Sequence, residues 1–291
     1  MKIGCLGEVI VDYIGVEGRP LAETRTFRQC AGGAAANVAV GLQTLGVAPV
    51  LMSRVGNDPA GRFLREELER RGVSTCYLGV DPDRPTRRAF IAYGANGRRD
   101  VDIVNRRSAD QTLPLEDVAD ALHPPDAVLH VNGTAFLGEV TAATAGALAR
   151  RVRAGGGWVS FDPNIPLDRI PPDAQERLVA FLGDVDLLAS GPAEWAWIQR
   201  AAPASSFALR ILTDGARGAW LTAGSESVHV PAPQTACIDP TGAGDAFLAG
   251  ALAALVRLGG RMGEGGGASL AAIGAAGAAR AGEVIGRLGG H

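Results

Sequence analysis

The strongest chemical signal in the sequence is a loop of small residues that leads directly into a helical pattern. The segment 239–247 reads DPTGAGDAF, and apolar residues then recur at helical spacing up to a pair of glycines. Small side chains at Gly242, Ala243 and Gly244 would let an anion approach the free N–H groups at the helix start, where the helix dipole is positive. Asp245 adds a carboxylate in the first turn. The pattern predicts either an anion hole beside a general base, as phosphoryl transfer to a hydroxyl requires, or a plain helix cap.

A second loop of small residues lies near the start of the chain. Residues 31–37 read AGGAAAN and run into another apolar helical pattern, which ends at Gly46. Gly32 and Gly33 would permit close approach to the backbone, and Asn37 offers both a hydrogen-bond donor and an acceptor. The spacing is not G-x-G-x-x-G, so a dinucleotide-binding oxidoreductase is not indicated. Taken alone, the segment predicts either a ligand contact or close packing of a helix on a sheet.

The composition excludes several classes of protein. The chain has 291 residues, of which 47% are apolar and 20% charged, as in ordinary soluble globular proteins. A formal net charge of −3 gives no basic surface for nucleic acid, and the apolar runs are shorter than the roughly 20 residues that span a membrane. Lys2 is the only lysine beside 27 arginines. That excludes phosphate-binding-loop NTPases and protein kinases, which depend on a lysine, and it disfavours Schiff-base enzymes.

Cysteine and histidine give no sign of a metal or redox site. The four cysteines lie far apart without a C-x-x-C pair, and the four histidines show no ligand spacing. The G-x-S-x-G of nucleophile-elbow hydrolases does not occur in the sequence. The chain begins with a strand-like run and not with a cleavable leader, so we expect a cytoplasmic enzyme.

Short apolar runs alternate with helical patterns along the chain. The runs predict buried strands at 3–14, 50–55, 127–131, 158–161, 185–189 and 209–212. Helices are predicted at 62–71, with Asn57 or Asp58 as the cap and Pro59 in the first turn, and at 141–153. This alternation predicts an α/β fold in which a doubly wound, mostly parallel sheet carries helices on both faces.

One segment breaks the alternation and predicts a β-hairpin. Residues 87–95 and 98–104 flank the dipeptide Asn96-Gly97, which is a strong hairpin-turn signal. Ligands of open α/β sheets bind outside the carboxyl ends of the strands. The hairpin is therefore predicted to be either a lid over that edge or a surface decoration.

Together the two loops resemble the two signatures of the ribokinase-like (PfkB) carbohydrate kinases. They occur in the family's order and about 200 residues apart, which chance matches seldom produce. The resemblance extends along essentially the whole chain, through Gly7-Glu8-x-x-x-Asp12, Gly32-Gly33-x-Ala35-x-Asn37-x-Ala39, Gly56-x-Asp58-x-x-Gly61, Phe161-Asp162-Pro163-Asn164, Thr213-x-Gly215-x-x-Gly218, Asp239-Pro240-x-Gly242-Ala243-Gly244-Asp245 and Ala279-Arg280-Ala281-Gly282.

The resemblance implies a ribokinase-like fold and the activity of a carbohydrate kinase. Residues 1–291 are expected to form a single kinase domain with a small β lid from roughly 11–30 and 87–108. ATP and Mg²⁺ are the implied cofactors, together with a monovalent cation such as K⁺. The implied partners are a small sugar and a second copy of the chain, because lid-to-lid dimers are common among relatives; neither nucleic acid nor a membrane is expected.

The roles of family residues can be carried over position by position. Asp245 is similar to the base that takes the proton from the acceptor hydroxyl, and its helix start is expected to keep it ionised at some cost in basicity. Gly242, Ala243 and Gly244 resemble the anion hole for the transferring phosphoryl group. The implied sugar-binding residues are Asp12, Gly32, Gly33, Asn37 and Arg106. The implied ATP-binding residues are Asn164, Thr213, Gly215, Gly218, Gly242 and Gly244, and the implied metal contact, through water, is Glu194.

Two departures from the family pattern concern phosphate and metal. Relatives usually carry Asn-x-x-Glu, whereas here Gly191 stands three positions before Glu194 and the amide is missing. Fructokinase-like relatives also tend to have Asp-x-Asn-x-Arg, and here Pro166 replaces that arginine unless Arg169 substitutes. A Mg²⁺ ion held mostly through water and phosphate oxygens tolerates the first change, because Mg²⁺ dehydrates reluctantly.

The Gly7-Glu8 pair and the Arg-x-Ser-Ala-Asp segment at 106–110 favour the fructokinase-like branch, and so an ATP-dependent kinase for fructose or a related small sugar. The alternatives are a kinase for a nucleoside, a 2-keto-3-deoxy sugar acid or a sugar phosphate, and a catalytically weak sensor that binds a sugar or nucleotide. Arginine pairs at 87–88, 98–99 and 106–107 suit either an anionic substrate or a solvated hairpin face. Specificity depends on pocket geometry, so a choice among these requires the site itself.

Overall fold

The computed structural model describes residues 1–94, 99–105, 107–123, 125, 127–235, 241–260 and 266–286. In this part of the chain the strands are β1 (Lys2–Leu6), β2 (Ile10–Gly15), β3 (Phe27–Gly32), β4 (Pro49–Gly56), β5 (Leu78–Asp81), β6 (Arg88–Tyr93), β7 (Arg99–Val104), β8 (Ala127–Asn132), β9 (Trp158–Asp162), β10 (Leu187–Ser190), β11 (Leu209–Thr213), β12 (Ala219–Ala223) and β13 (Glu226–Val230). The α-helices are α1 (Ala34–Thr44), α2 (Pro59–Arg70), α3 (Glu139–Ala154), α4 (Pro172–Phe181), α5 (Pro192–Ala201), α6 (Ala243–Arg257) and α7 (Gly266–Ile285).

Nine strands form one large sheet in the order β13-β12-β11-β10-β9-β8-β1-β4-β5. From β5 to β11 neighbouring strands are parallel, and β12 and β13 continue the sheet antiparallel at one edge. Parallel strands covered on both faces read as nearly continuous apolar runs, which is the pattern that the sequence shows. The predicted doubly wound, mostly parallel sheet is confirmed.

The helices cover both faces of this sheet. One apolar core packs α1, α2, α6 and α7 on one face, and a second packs α3, α4 and α5 on the other. Strand residues alternate between the two cores: Ile3 and Cys5 point into the first, and Leu6 points into the second. No helix in the described ranges combines the length and apolar character that crossing a bilayer requires.

A four-stranded sheet in the order β3-β2-β6-β7 lies apart from the large one. We call it the small sheet. The predicted hairpin forms its antiparallel pair β6 and β7, with Ile91 opposite Val101, while the predicted turn at 95–98 lies outside the described residues. On one side of the sheet the Tyr13 ring stacks on Phe90 with 4.9 Å between centroids, and Phe27 meets Phe90 edge-on at 5.4 Å.

The first apolar run, predicted as one strand over 3–14, is two strands in different sheets. The chain leaves the large sheet at Gly7, where a Cβ atom would lie only 1.4 Å from the side-chain oxygen of Asn132. Only glycine permits this approach, so the backbone turns there and re-enters regular structure as β2. Sequence periodicity did not reveal the break, because both strands are apolar. The run predicted as a strand at 185–189 is likewise shifted, to Leu187–Ser190.

The predicted cap of α2 is confirmed. The Asp58 side chain accepts a hydrogen bond from the Gly61 N–H at 2.8 Å, and Pro59 occupies the first turn. The same carboxylate accepts from the Thr86 hydroxyl at 2.7 Å and from its N–H at 3.0 Å. Asp58 therefore joins the start of α2 to the segment that leads into β6.

Helices α6 and α7 cross at a backbone-to-backbone contact. A Cβ atom on Gly250 would lie 2.3 Å from the carbonyl oxygen of Ala276, so the crossing requires glycine at this position. We expect Gly250→Ala to lower the free energy of unfolding by about 1–3 kcal/mol, because the helices must separate to admit a methyl group. Urea denaturation monitored by circular dichroism measures the change.

Gly146 in α3 supplies the matched control, because a Cβ there would meet only the end of the Arg150 side chain, at 3.3 Å. Gly146→Ala should raise the free energy of unfolding by about 0.5–1 kcal/mol, as alanine does inside helices. Equal effects of the two substitutions would contradict the proposed importance of the α6–α7 crossing.

Candidate active site

The candidate site lies where the strands of the large sheet end at their carboxyl termini and where α6 begins. Gly242 is the residue before α6 and has a left-handed backbone with φ of 75°, a conformation that favours glycine. A Cβ atom on Gly244 would meet nothing within 4 Å, so the space beside the first turn is open. Asp239 and Pro240 lie outside the described residues. The described part of the loop has the open helix start that the sequence predicts for anion binding.

Asp245 in the first turn of α6 is held between two asparagine side chains. Its Oδ2 accepts from the Nδ2 of Asn37 at 2.8 Å, and its Oδ1 accepts from the Nδ2 of Asn164 at 2.8 Å. Asn37 comes from α1 and Asn164 from the loop after β9, so residues more than 200 positions apart in sequence meet on one carboxylate. Only 6% of Asp245 is exposed.

Burial raises the pKa of Asp245 to about 7; the hydrogen bond from Asn37 opposes this shift and the charge of Glu8 adds to it. From the sequence, the helix start was expected to keep this carboxylate ionised at a cost in basicity. The structure differs from that expectation, because burial deprives the carboxylate of solvation and so raises its pKa. A carboxylate with a pKa near 7 is matched to removing a proton at neutral pH.

Asn164 adopts an unusual backbone conformation that places it on Asp245. Its φ is 45°, in the left-handed region that asparagine tolerates better than most residues, and its N–H donates to Oδ1 of Asp162 at 3.1 Å. The sequence assigned Asn164 to the nucleotide. In the structure its side-chain amide contacts the candidate base.

The residues expected to bind sugar lie around the start of α1. Asp12 on β2 is paired with Cys30 on β3, and a Cβ atom on Gly32 would lie 2.1 Å from the Asp12 carboxylate. Gly33, with φ of 98°, precedes α1 and would place a Cβ atom 2.5 Å from the carbonyl oxygen of Glu8. Glycine at both positions lets two acidic residues approach the helix that carries Asn37. Arg106, the fifth residue of the predicted set, lies outside the described residues.

A carboxylate pair lies on the other side of Asp245. Burial raises the pKa of Asp162 well above its usual value, and the charges of Glu194 and Asp245 raise it further. Burial also raises the pKa of Glu194, although backbone N–H groups of Gly191, Ile165 and Asn164 oppose the shift. A cavity of about 380 Å³, lined by residues 164–166 and 191–194, opens beside this pair.

Glu194 caps the start of its own helix. Its Oε2 accepts from the Gly191 N–H at 2.7 Å, and a Cβ atom on Gly191 would lie at an ordinary 3.4 Å from the same oxygen. No group of three His, Cys, Asp or Glu side chains within the described ranges is arranged to hold a metal ion. The half-buried carboxylates of Asp162 and Glu194 fit a hard divalent cation held largely through water. Pro166 lies in the cavity wall, and the side chain of Arg169 lies outside the described part.

The residues expected at the nucleotide form a turn after β11. Thr213 ends the strand and donates to the carbonyl oxygen of Ser190 at 3.4 Å. Gly215, with φ of 53°, starts the turn, and a Cβ atom there would meet nothing within 4 Å. Gly218, with φ of 89°, would place a Cβ atom 2.1 Å from the carbonyl oxygen of Val230. The turn is therefore open at Gly215 and packed against β13 at Gly218.

One contact between the small sheet and the loop that precedes α6 could not be predicted from the sequence. The hydroxyl of Tyr93, at the end of β6, lies 2.5 Å from the hydroxyl of Thr241, the residue before Gly242. No local pattern marks Tyr93, because the contact joins positions 148 residues apart. The other missed polar residues, Asp162 and Glu8, stand inside quoted motifs, so their sequence context could have drawn attention to them.

Comparison with known proteins agrees with this geometry. The family model described as pfkB family carbohydrate kinase matches residues 1–291. A fructokinase of Klebsiella pneumoniae is 35% identical over 269 residues, which are 87% of this chain and 84% of the relative. A fructokinase of Vibrio alginolyticus is 33% identical over 275 residues, which are 88% of this chain and 84% of the relative.

Solved structures share the whole fold. The fructokinase of Vibrio cholerae, in a form with fructose, ADP and calcium ion, superposes with a TM-score of 0.86 at 25% identity, and the match covers 99% of this chain and 94% of that structure. A sugar kinase of Pyrococcus horikoshii in complex with ATP gives a TM-score of 0.86 at 26% identity, and the match covers 99% of this chain and 93% of that structure. Because the family match spans all 291 residues and these fructokinases are similar over most of the chain, the chain belongs to the pfkB family and is a carbohydrate kinase.

Proposed function

We propose that this kinase transfers the γ-phosphoryl group of ATP to a hydroxyl of fructose or a closely related neutral sugar, with Asp245 as the general base. The observation that carries the proposal is the Asp245 carboxylate, buried between Asn37 and Asn164 in the first turn of a helix whose start is open. The fructokinases among the relatives support the choice of fructose. An intact base beside an open anion hole opposes the catalytically weak sensor.

The chemistry assigns one task to each part of the site. Asp245 accepts the proton of the sugar hydroxyl as that oxygen forms a bond to the γ-phosphorus, and the bond to the bridging oxygen breaks to release ADP. Backbone N–H groups of Gly242, Ala243 and Gly244 stabilise charge on the transferring group. A Mg²⁺ ion near Glu194 would neutralise phosphate charge. Asp162 and Glu194 would hold its water ligands, and Thr213, Gly215 and Gly218 would border the nucleotide.

The charges around the start of α1 favour a neutral acceptor. Asp12, Asn37 and Asp245 offer acceptors and donors to hydroxyl groups, and they carry negative charge in total. The buried arginine beside them, Arg87, is paired with Asp110 at 2.8 Å and so is not available to an anion. A sugar acid or sugar phosphate would meet net repulsion from these described groups.

We propose that the small sheet acts as the lid, and that residues 1–291 form one kinase domain with lid segments from roughly 11–30 and 87–108. Asp12 and Tyr93 lie on the same face of the sheet by strand register, and Tyr93 reaches Thr241 beside the anion hole. The sheet therefore contacts both ends of the site. A homodimer through this sheet is supported by its exposed edge strand, where Val101 and Ile103 are 43% and 39% exposed.

A monovalent cation such as K⁺ is proposed as a further cofactor, because a fructokinase of Vibrio cholerae has been solved in a form with fructose, ADP and potassium ion. The enzyme is proposed to act in the cytoplasm, where ATP is supplied. Cys5, Cys30 and Cys76 are free thiols, in keeping with a reducing compartment.

Replacing Asp245 by asparagine tests the mechanism. We expect Asp245→Asn to lower kcat by at least roughly 100-fold, because an amide cannot accept the proton, while ATP affinity changes little. In the wild type, kcat/KM should rise with pH through about 7 as the base ionises. Steady-state kinetics with fructose and ATP measure both effects. A variant with near-normal kcat would rule out Asp245 as the base.

The raised pKa of Asp245 also predicts how the stability of the same variant, relative to wild type, changes with pH. The folded protein binds the Asp245 proton up to a pH of about 7 and the unfolded chain only up to about 3.8, so this group makes stability fall as pH rises between those values. Asparagine lacks this penalty. The Tm of the variant relative to wild type should therefore increase from pH 5 to pH 8. Asp186→Asn is the control, because Asp186 accepts from the Val159 N–H at 2.9 Å at the opposite edge of the sheet.

Removing one hydroxyl tests the lid. Tyr93→Phe loses the contact with Thr241 and should raise the KM for sugar roughly 3- to 10-fold, with more ATP hydrolysis in the absence of sugar. A coupled ADP-release assay with and without fructose separates the two rates. Tyr77→Phe, at a half-buried tyrosine outside the site, should leave both unchanged. Unaltered sugar kinetics in Tyr93→Phe would make the contact incidental.

Restoring the missing amide tests the proposed metal position. Gly191→Asn should lower the KM for Mg²⁺-ATP roughly 2- to 10-fold, because the side chain fits beside Glu194 and adds an oxygen for a bound water. Measuring the reaction rate while Mg²⁺ is titrated at a fixed ATP concentration gives this KM. Gly183→Asn is the control, because a Cβ atom at Gly183 would meet nothing within 4 Å. An unchanged Mg²⁺ requirement would show that this site does not need the amide.

A further inference from the structure

A buried group of charges lies beneath the site, and the proposed phosphoryl transfer does not use it. The Arg87 side chain is only 4% exposed; its Nη2 lies 2.8 Å from Oδ2 of Asp110, and its Nε lies 4.0 Å from Oε2 of Glu8. Asp110 is 2% exposed and Glu8 15%. Buried ions cost desolvation energy and often contribute less stability than apolar residues of the same size, so the presence of three calls for a specific task.

Arg87 joins the two chain segments by which the hairpin β6–β7 connects to the rest of the molecule. It precedes β6, and its backbone oxygen accepts from the Val11 N–H of β2 at 3.1 Å. Asp110 follows β7, next to Ala109, whose N–H donates to the carbonyl oxygen of Pro85 at 3.1 Å. One guanidinium therefore fixes both connections at the base of the small sheet.

Glu8 links this base to the helix that carries Asn37. Its carboxylate accepts from the N–H of Ala34, the first residue of α1, and from the hydroxyl of Thr134. Thr134 is held in turn by the Nδ2 of Asn132 at 2.8 Å. Because the Glu8 backbone also packs against Gly33, a shift of Glu8 moves the start of α1 and with it Asn37, which donates to Asp245.

We propose that Glu8 is a positioning residue for the phosphoryl transfer: its carboxylate couples the base of the small sheet, through Arg87, to the placement of Asn37 on the base Asp245. The inference rests on the proposed function, because it assigns Glu8 a task in the same site. It predicts that closure of the small sheet over a sugar and alignment of the base are not independent.

The charges around Asp245 and Glu8 predict a second measurable effect, on the pH dependence of the reaction. Asp245 is faced by Glu8 from the β1–β2 connection and by Asp162 from the end of β9, with the neutral amides of Asn37 and Asn164 as donors. Burial raises the pKa of Glu8; the charge of Arg87 opposes this shift, and the charge of Asp110 adds to it. Removing the negative charge at position 8 should therefore lower the pKa of Asp245.

Glu8→Gln is the test, made in the full chain, because glutamine keeps the shape and can still accept from Ala34. We expect kcat/KM for sugar to fall at least about tenfold, mainly through KM, while the KM for ATP stays within about twofold. The acid limb of the kcat/KM profile should move to lower pH. Glu8→Asp, which keeps the charge, should keep the acid limb near the wild-type position.

Asp110→Asn provides a second variant if Glu8→Gln does not fold. It weakens the hold on Arg87 and should raise the sugar KM without moving the acid limb, because Asp110 is not among the charges that shift Asp245. Asp186→Asn, at the other edge of the sheet, is the control for loss of a hydrogen-bonded carboxylate.

Two results would overturn the proposal. One is wild-type sugar kinetics and an unmoved acid limb in Glu8→Gln; the other is a loss of stability that raises the KM values for sugar and ATP alike. The wild type is first assayed on fructose, ribose, a sugar acid and a nucleoside. If it phosphorylates none of the neutral sugars, the proposed function fails; if it phosphorylates one and Glu8→Gln matches it, only the role of Glu8 fails.

Discussion

The Asp245 carboxylate is buried between two side-chain amides that donate hydrogen bonds to it, and the rest of the site depends on this constraint. A carboxylate loses its solvation in such a place, so it must receive hydrogen bonds from groups that are themselves fixed. Asn37 and Asn164 provide them at 2.8 Å each, and each belongs to a different element of the chain. The packing of α6 against α1 and the left-handed backbone at Asn164 are the structural conditions for this arrangement.

The large sheet explains why those groups meet. Its parallel strands all end at one edge, so the residues that follow β1, β8, β9, β10 and β11 share a single crevice. Glycine then decides how closely they approach: Gly7, Gly33 and Gly218 each bring backbone or polar side chains to distances that a Cβ atom would forbid. The small sheet contacts this region through Tyr93, whose hydroxyl lies 2.5 Å from that of Thr241.

Much of the fold and of the site could be predicted from the sequence, because the patterns that indicate them lie within short segments. Apolar alternation gave the sheet, Asp58 and Pro59 gave the start of α2, and the two small-residue loops carried the family resemblance. The break at Gly7, the contact of Tyr93 with Thr241 and the pairing of Arg87 with Asp110 could not be predicted, because each depends on residues distant in sequence. The basicity of Asp245 was misjudged for the same reason: the helix start is visible in the sequence, whereas the depth of burial is a property of the whole fold.

The cap that Glu194 places on its own helix has a thermodynamic consequence. An ion that bound Oε2 of this carboxylate directly would have to displace the Gly191 N–H, so the start of α5 and the ion would compete for that oxygen. Contact through a water molecule avoids that competition and leaves the ion loosely held. Glu194 would then bind the ion only weakly, and the ion would enter and leave the site together with the phosphate groups of the nucleotide.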